Sequence, residues 1–221
     1  MPNQVTTHPR LPDLLRAQRD FLLVDGSGSM QPQWWPLMEA LETYVQTLRR
    51  NGTSSFTTLS VFSGEELDME QRNCRIEDWK SVLDDPLVST WGYTPLYDAI
   101  NSMARRLCDE DPLRCAITIV TDGDNNGSRF TDETQARSIL NWCRAKGWEV
   151  TFIGCDWNNE LLAKKLGSHP SAAIGVSRAM LKDAAEELAN KRSRYGASGA
   201  PMHWSDEERH QFGGYLGAPA K

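Results

Sequence analysis

Residues 25–29 read Asp25-Gly26-Ser27-Gly28-Ser29, one carboxylate and two hydroxyls at alternate positions with glycines between them. The glycines let such a loop fold tightly, so the three oxygen-bearing side chains can point at one spot. Oxygen-only ligands at this density suit a hard cation such as Mg2+, which asks for octahedral geometry at about 2.1 Å. Mn2+ or Ca2+ can substitute at a site of this kind. Taken alone, the same five residues also read as a turn capping the next helix, because short Gly/Ser motifs recur by chance.

Two more oxygen groups stand where they could join the loop. Thr94 precedes Pro95 at the start of a helical pattern, and Asp122 ends the apolar run RCAITIVT at 114–121. Each has an ordinary reading as well. Thr94 is a good helix N-cap ahead of a first-turn proline, and it can also ligate only if another group satisfies the helix. Asp122 is a common turn residue before Gly123. Asp98, one turn past Thr94, and Asp124, two residues past Asp122, are candidates for a second shell, with solvated or capping roles as the alternative. His8, His169, His203 and His210 are scattered and show no metal-ligand or triad spacing.

The elements that must position these groups alternate. Residues 20–25 (DFLLVD) form a short apolar run ending in an acid, which reads as a buried strand. Apolar residues at helical spacing follow from Pro36 to Arg50, and Asn51-Gly52 stops them. Strands are predicted at 55–62, 114–121, 149–155 and 172–176, with an edge strand within 66–76 and a short helical piece at 78–83. Helices are predicted after Thr94, from Thr131 to Gly147, at 158–166, and from a Ser177 cap to about Arg194. Strand alternating with helix points to an α/β, doubly wound, mostly parallel sheet with helices on both faces. In such sheets ligand sites gather at the carboxyl ends of the strands. Gly196 to Pro201 reads as a flexible linker by composition, and Ser205-Asp206-Glu207-Glu208 is a capping-box pattern for a short helix beyond it.

The 221 residues can bury one sizeable core. With 24 basic against 30 acidic residues the formal charge is −6, and no long Lys/Arg run is present, which argues against nucleic acid as a partner. No stretch approaches the roughly 20 apolar residues of a membrane span, and residues 1–20 lack the apolar core of a secretory signal. The five cysteines show neither CxxC nor zinc spacing, so reduced thiols and a cytoplasmic setting are expected.

The sequence D-G-S-G-S after an apolar strand resembles the metal-ion-dependent adhesion site of von Willebrand factor A domains. Gly92-Tyr93-Thr94-Pro95-Leu96-Tyr97-Asp98-Ala99 resembles that family's second loop, especially in its soluble bacterial branch, and Thr121-Asp122-Gly123 resembles the third. The resemblance spans roughly residues 18–194. It divides the chain into an N-terminal extension (1–17), a von Willebrand factor A domain of Rossmann-like fold (18–195) and a C-terminal tail (196–221). It implies that Ser27, Ser29 and Thr94 hold Mg2+ through hydroxyls, and that Asp25 and Asp122 act directly or through water. It further implies one coordination position kept for an Asp or Glu of a partner protein, and a non-enzymatic adaptor in a bacterial or phage assembly.

Trp34 and Trp35 follow the first loop, Trp91 and Tyr93 precede Thr94, and Trp157 follows the strand ending at Cys155. On this fold all five ring the metal face, and two or more left exposed would form a protein-binding patch. The alternative for each is packing beneath the loops. Two other functions compete. A Mg2+-dependent phosphotransferase or phosphatase is one: an Asp after a first strand also resembles haloacid-dehalogenase-like phosphatases, which implies a second Asp two residues on as acid/base, but Ser27 stands there, and no GxxxxGK[ST] or GxSxG motif is present. A structural subunit would dock through its tail, using the capping-box segment.

Overall fold

The computed structural model describes residues 18–64, 68–83 and 90–213. Six strands form one sheet in the order β3-β2-β1-β4-β5-β6. They are β1 (Gln18–Asp25), β2 (Phe56–Ser63), β3 (Asp68–Arg75), β4 (Arg114–Thr121), β5 (Glu149–Cys155) and β6 (Ala173–Val176). The predicted edge strand is β3, which runs antiparallel to β2, while the other neighbours pair in parallel. Among the described residues six α-helices accompany them: α1 (Trp34–Arg50), α2 (Leu96–Glu110), α3 (Glu133–Ala145), α4 (Glu160–Lys165), α5 (Leu181–Ser198) and α6 (Asp206–Gly213).

Side chains alternate across a strand, so β1, buried along its length, feeds both faces. Leu22 and Val24 join α1 and α5 in one apolar cluster, and Phe21 and Leu23 join α2, α3 and α4 in the other. The doubly wound arrangement expected from the alternation is therefore present. From β1 the chain moves outward to β2, then returns to β4 on the other side of β1. The strand order reverses between β1 and β4, and at such a switch point the loops splay apart and leave a crevice at the carboxyl edge.

Several boundaries differ from the sequence expectations for physical reasons. Thr94 does not cap α2; the helix begins at Leu96 with no side-chain cap of its own. Ser128 Oγ instead accepts from the N–H groups of Tyr97 (2.9 Å) and Asp98 (3.1 Å). At α3 the cap is Asp132, one residue past Thr131, in a reciprocal capping box with Gln135. Ser177 does not cap α5; its N–H donates to the Phe212 carbonyl at 3.0 Å, and a 3-10 turn (Arg178–Met180) intervenes. The helical piece predicted at 78–83 is only a 3-10 turn at Ile76–Asp78.

The clearest difference lies past residue 195. Composition predicts a flexible linker at 196–201, yet α5 runs on to Ser198 and closes on Gly199 at φ 76°. Met202, Trp204 and Phe212 then bury themselves in the α1/α5 cluster. Trp204 meets Phe212 edge to face at 6.0 Å, and the Lys191 ammonium lies 5.0 Å from the Trp204 ring. The predicted capping box forms: Ser205 N–H donates to Glu208 Oε2 at 2.7 Å, and Glu208 N–H to Ser205 Oγ at 3.2 Å. Small polar residues read as linker, but large apolar anchors beyond them decide the outcome. Residues 1–17 and 214–221 lie outside the described residues. The five cysteines are free thiols, and among the described residues no helix is long and apolar enough to cross a membrane.

Candidate metal centre

The two strands at the switch point deliver the acids. Asp25 ends β1 and Asp122 follows β4, so parallel pairing of β1 with β4 brings their carboxyl ends side by side. Past Asp25 the backbone must turn under β2. A Cβ on Gly26 would come within 2.7 Å of Val61 Cγ1, so only glycine fits that approach. The short 3-10 helix Gly28–Gln33 then carries Ser29 back over the sheet edge.

The oxygens line up in sequence. Asp25 is fully buried; its Oδ1 accepts from Ser27 N–H at 2.8 Å and its Oδ2 from Thr121 Oγ1 at 2.6 Å. Ser27 Oγ and Ser29 Oγ are 3.1 Å apart, and Ser29 Oγ donates to Asp122 Oδ1 at 2.8 Å. Gln33 Nε2 donates to Asp122 Oδ2 at 3.0 Å. Side-chain oxygens of Ser27, Ser29 and Asp122 thus follow one another beside the buried Asp25 carboxylate.

The second loop is laced to the first. Gly28 N–H donates to the Gly92 carbonyl at 3.2 Å, and Trp91 N–H to the Gly26 carbonyl at 3.0 Å. Gly92 has φ 70° and packs so closely that a Cβ would lie 2.8 Å from Gly64 Cα. The third loop grips the second: Asn126 and Gly127 N–H both donate to the Thr94 carbonyl at 3.2 Å, and Asn126 Oδ1 accepts from Thr94 N–H at 2.7 Å. Thr94 is buried on the loop next to Gly92, and Ser128 has relieved its hydroxyl of capping.

Both acids are shifted upward by burial. Burial pushes the Asp25 carboxyl up from 3.8 to about 6, against the lowering influence of its bonds from Thr121 and Ser27. Burial also raises Asp122, opposed by its bonds from Ser29 and Gln33. Neither acid is ion-paired among the described residues. Beneath them burial, then Asp122 and Asp25, push the Cys155 thiol up, so a strand cysteine next to the site stays protonated. Among the described residues no cluster of three or more His, Cys, Asp or Glu exists that would hold a metal. A cation here would therefore have to use hydroxyls. The two carboxylates and the hydroxyls of Ser27 and Ser29 are hard oxygen donors, a set that fits a hard divalent ion and not a soft one.

Asp98 and Asp124 do not join this group. Asp98 Oδ2 accepts from Arg129 N–H at 2.8 Å and Oδ1 from Phe130 N–H at 3.2 Å, which anchors the third loop to α2. Asp124 is paired with Lys165 at 3.2 Å. Of the five aromatics, Trp35 (57% exposed), Trp91 (44%) and Tyr93 (52%) stand open, whereas Trp34 is buried and Trp157 is partly buried against the α2–α4 cluster. Gln33, Thr121 and Ser128 were not singled out in the sequence. No spacing pattern in the sequence pointed to Gln33, because residues four apart do not share a face of a 3-10 helix.

The six-stranded, mostly parallel sheet with helices on both faces has the von Willebrand factor A fold. The comparisons agree. The pilus adhesin SpaC of Lactobacillus rhamnosus GG superposes with a TM-score of 0.64 at 12% identity, over 80% of this chain and 31% of that one. The von Willebrand factor type A structure from Catenulispora acidiphila gives 0.59 at 16% identity over 80% and 43%. The vWF domain of the type V pili tip protein Mfa5 from Porphyromonas gingivalis gives 0.59 at 10% identity over 79% and 94%. The chain thus spans less than half the length of the first two of these structures. No family model and no curated protein matches the sequence.

Proposed function

We propose that the chain is a non-enzymatic protein-binding module that grips a carboxylate of its partner through a divalent cation held by Asp25, Ser27, Ser29, Thr94 and Asp122. The observation that carries this reading is the oxygen series at the switch point, where Ser27 Oγ lies 3.1 Å from Ser29 Oγ and Ser29 Oγ 2.8 Å from Asp122 Oδ1. A bound Mg2+ would supply a Lewis-acid centre with affinity for an incoming Asp or Glu. The residues of the chain do the rest. Asp25 and Thr121 hold the floor, the lacing of Gly26, Gly28, Trp91 and Gly92 fixes two loops against each other, and Trp35, Trp91 and Tyr93 offer apolar surface around the crevice. Exposed aromatics beside a polar anchor are the composition of a protein-binding hot spot. The neighbours named as pilus adhesin and pilus tip protein are compatible with adhesion as the role.

Tail docking is the weaker reading, because Met202, Trp204 and Phe212 are already engaged with the chain's own core. A phosphotransferase still has no acid at position 27 to move a proton.

The test is calorimetric titration of Mg2+ and Mn2+ into metal-stripped protein, with Asp25→Ala beside it. Saturable binding at one site, lost in the variant and accompanied by a metal-dependent rise in melting temperature, is the expected result. Binding that persists unchanged in Asp25→Ala, or none in the wild type, would overturn the reading.

A further inference from the structure

The carboxylate of Asp122 is held at both oxygens by one short piece of chain. Ser29 Oγ donates to Oδ1 at 2.8 Å and Gln33 Nε2 to Oδ2 at 3.0 Å, both from the 3-10 helix Gly28–Gln33. The terminal torsion of an Asp side chain is soft, so one bond leaves the carboxylate free to swing and a second fixes its plane. Gln33 can serve only in one orientation of its amide. With the amide inverted, Oε1 would face Asp122 oxygen to oxygen.

What sets the orientation is Arg178. A guanidinium donates and never accepts, and Arg178 Nη2 lies 3.3 Å from Gln33 Oε1. With its oxygen claimed, the amide must present its NH2 to Asp122. Arg178 is fixed in turn by Asp156: its backbone N–H donates to Oδ1 at 2.8 Å and its guanidinium lies 3.2 Å from Oδ2. Asp156, at φ 53°, is tied to the end of β6 by its own N–H, which donates to the Val176 carbonyl at 2.8 Å. The series Asp156–Arg178–Gln33–Asp122 thus runs from the β5 and β6 ends to the cation site. Gln33 is buried at 6% exposure, so water does not compete freely for its amide.

From this geometry we infer that Gln33 is a positioning residue for the cation site and that Arg178 acts through it by setting the polarity of its amide. The inference rests on the divalent-cation reading above. Groups that orient a ligand in this way alter metal affinity by roughly 10- to 100-fold when removed.

The test is calorimetric titration of Mn2+ into the metal-stripped full chain for the wild type, Gln33→Met, Arg178→Met, Arg178→Lys and the Gln33→Met/Arg178→Met double variant. Gln33→Met is expected to weaken Mn2+ binding by about tenfold or more. Arg178→Met is expected to weaken it less, and the double variant no more than Gln33→Met alone, because Arg178 has nothing left to act on. Arg178→Lys, which keeps a donor-only group, is expected to restore most of the loss, a rescue that a merely structural role would not give. Metal-free melting temperatures report folding. Arg178 is half exposed, so its variants keep the test readable if Gln33→Met does not fold. Affinities within about twofold of wild type, or losses that add in the double variant, overturn the relay alone. A wild type that binds no Mn2+ overturns it together with the reading it rests on.

Discussion

At Asp25 a fully buried carboxyl accepts bonds from Ser27 and Thr121, yet burial still holds its pKa near 6 where 3.8 is ordinary. Two donors do not replace the hydration that the group gave up. Without metal, folding therefore favours the protonated form. The contribution of this group to stability is fully present below its unfolded value of 3.8 and is lost as the pH rises through about 6. The loss amounts to roughly 3 kcal/mol. Urea unfolding of metal-stripped protein from pH 3.5 to pH 8 (about the range that brackets both values) should show the wild type losing this stability relative to Asp25→Asn, which does not titrate. A wild type that gained stability relative to the variant over the same range would contradict the account. At Thr94 the gain is of another kind: Ser128 caps α2 from a distant loop, so the threonine hydroxyl is released from the helix.

Among the elements, the C-terminal segment is the one whose role changed most on folding. α6 lies against β6, and the Phe212 carbonyl closes on Ser177, the residue just before Arg178. The turn after β6 is thereby tied down from behind. Trp204 is the principal anchor, almost wholly buried. Trp204→Ala removes most of that packing and should cost about 3–5 kcal/mol of stability, read by chemical denaturation. A loss below about 1 kcal/mol, the range of surface changes, would mean that the segment is only loosely docked. Composition misleads here because burial of Met202, Trp204 and Phe212 in the α1/α5 cluster offsets the entropy lost in ordering the small residues before them.

Across the whole molecule the two ends of the sheet do different work. The carboxyl end collects acids and hydroxyls, and among the described residues Asp25 and Asp122 have no ion-pair partner there. The opposite end holds a buried ion pair, in which Arg192 Nε donates to Asp20 Oδ1 and Ser55 Oγ to Asp20 Oδ2, with both charged side chains fully buried. The neighbouring Arg19 is paired with Glu110 at 2.5 Å and lies 4.4 Å from the Phe56 ring. A pair of this kind adds little net stability, but breaking it strands a charge. Arg192→Met should therefore cost about 3–5 kcal/mol, and Asp20→Asn/Arg192→Met distinctly less, measured as a double-mutant cycle in urea. Equal losses in the single and double variants would show that packing, not charge, governs the position.

The local chemistry was legible in the sequence. Apolar runs bounded by turn residues marked β1, β4 and β5, and the edge strand β3 was placed between its neighbours. Asp25, Ser27 and Ser29 stood out because oxygen side chains between glycines at a strand end are a local pattern, whereas Thr94 and Asp122 joined them only through the resemblance to a known family. Sequence also defined the doubly wound class, since alternating strand and helix leave few ways to bury both faces of a sheet. What only the tertiary structure decided were relations between distant parts of the chain. Asp98 accepts from the N–H groups of Arg129 and Phe130, a partnership that its place one turn past Thr94 does not announce. Five aromatics could face solvent, and packing against the two clusters left Trp35, Trp91 and Tyr93 exposed. Gln33, Arg178 and Asp156 carry no pattern that links them, because a hydrogen bond across 145 residues depends on where helices and strands come to rest and not on spacing along the chain.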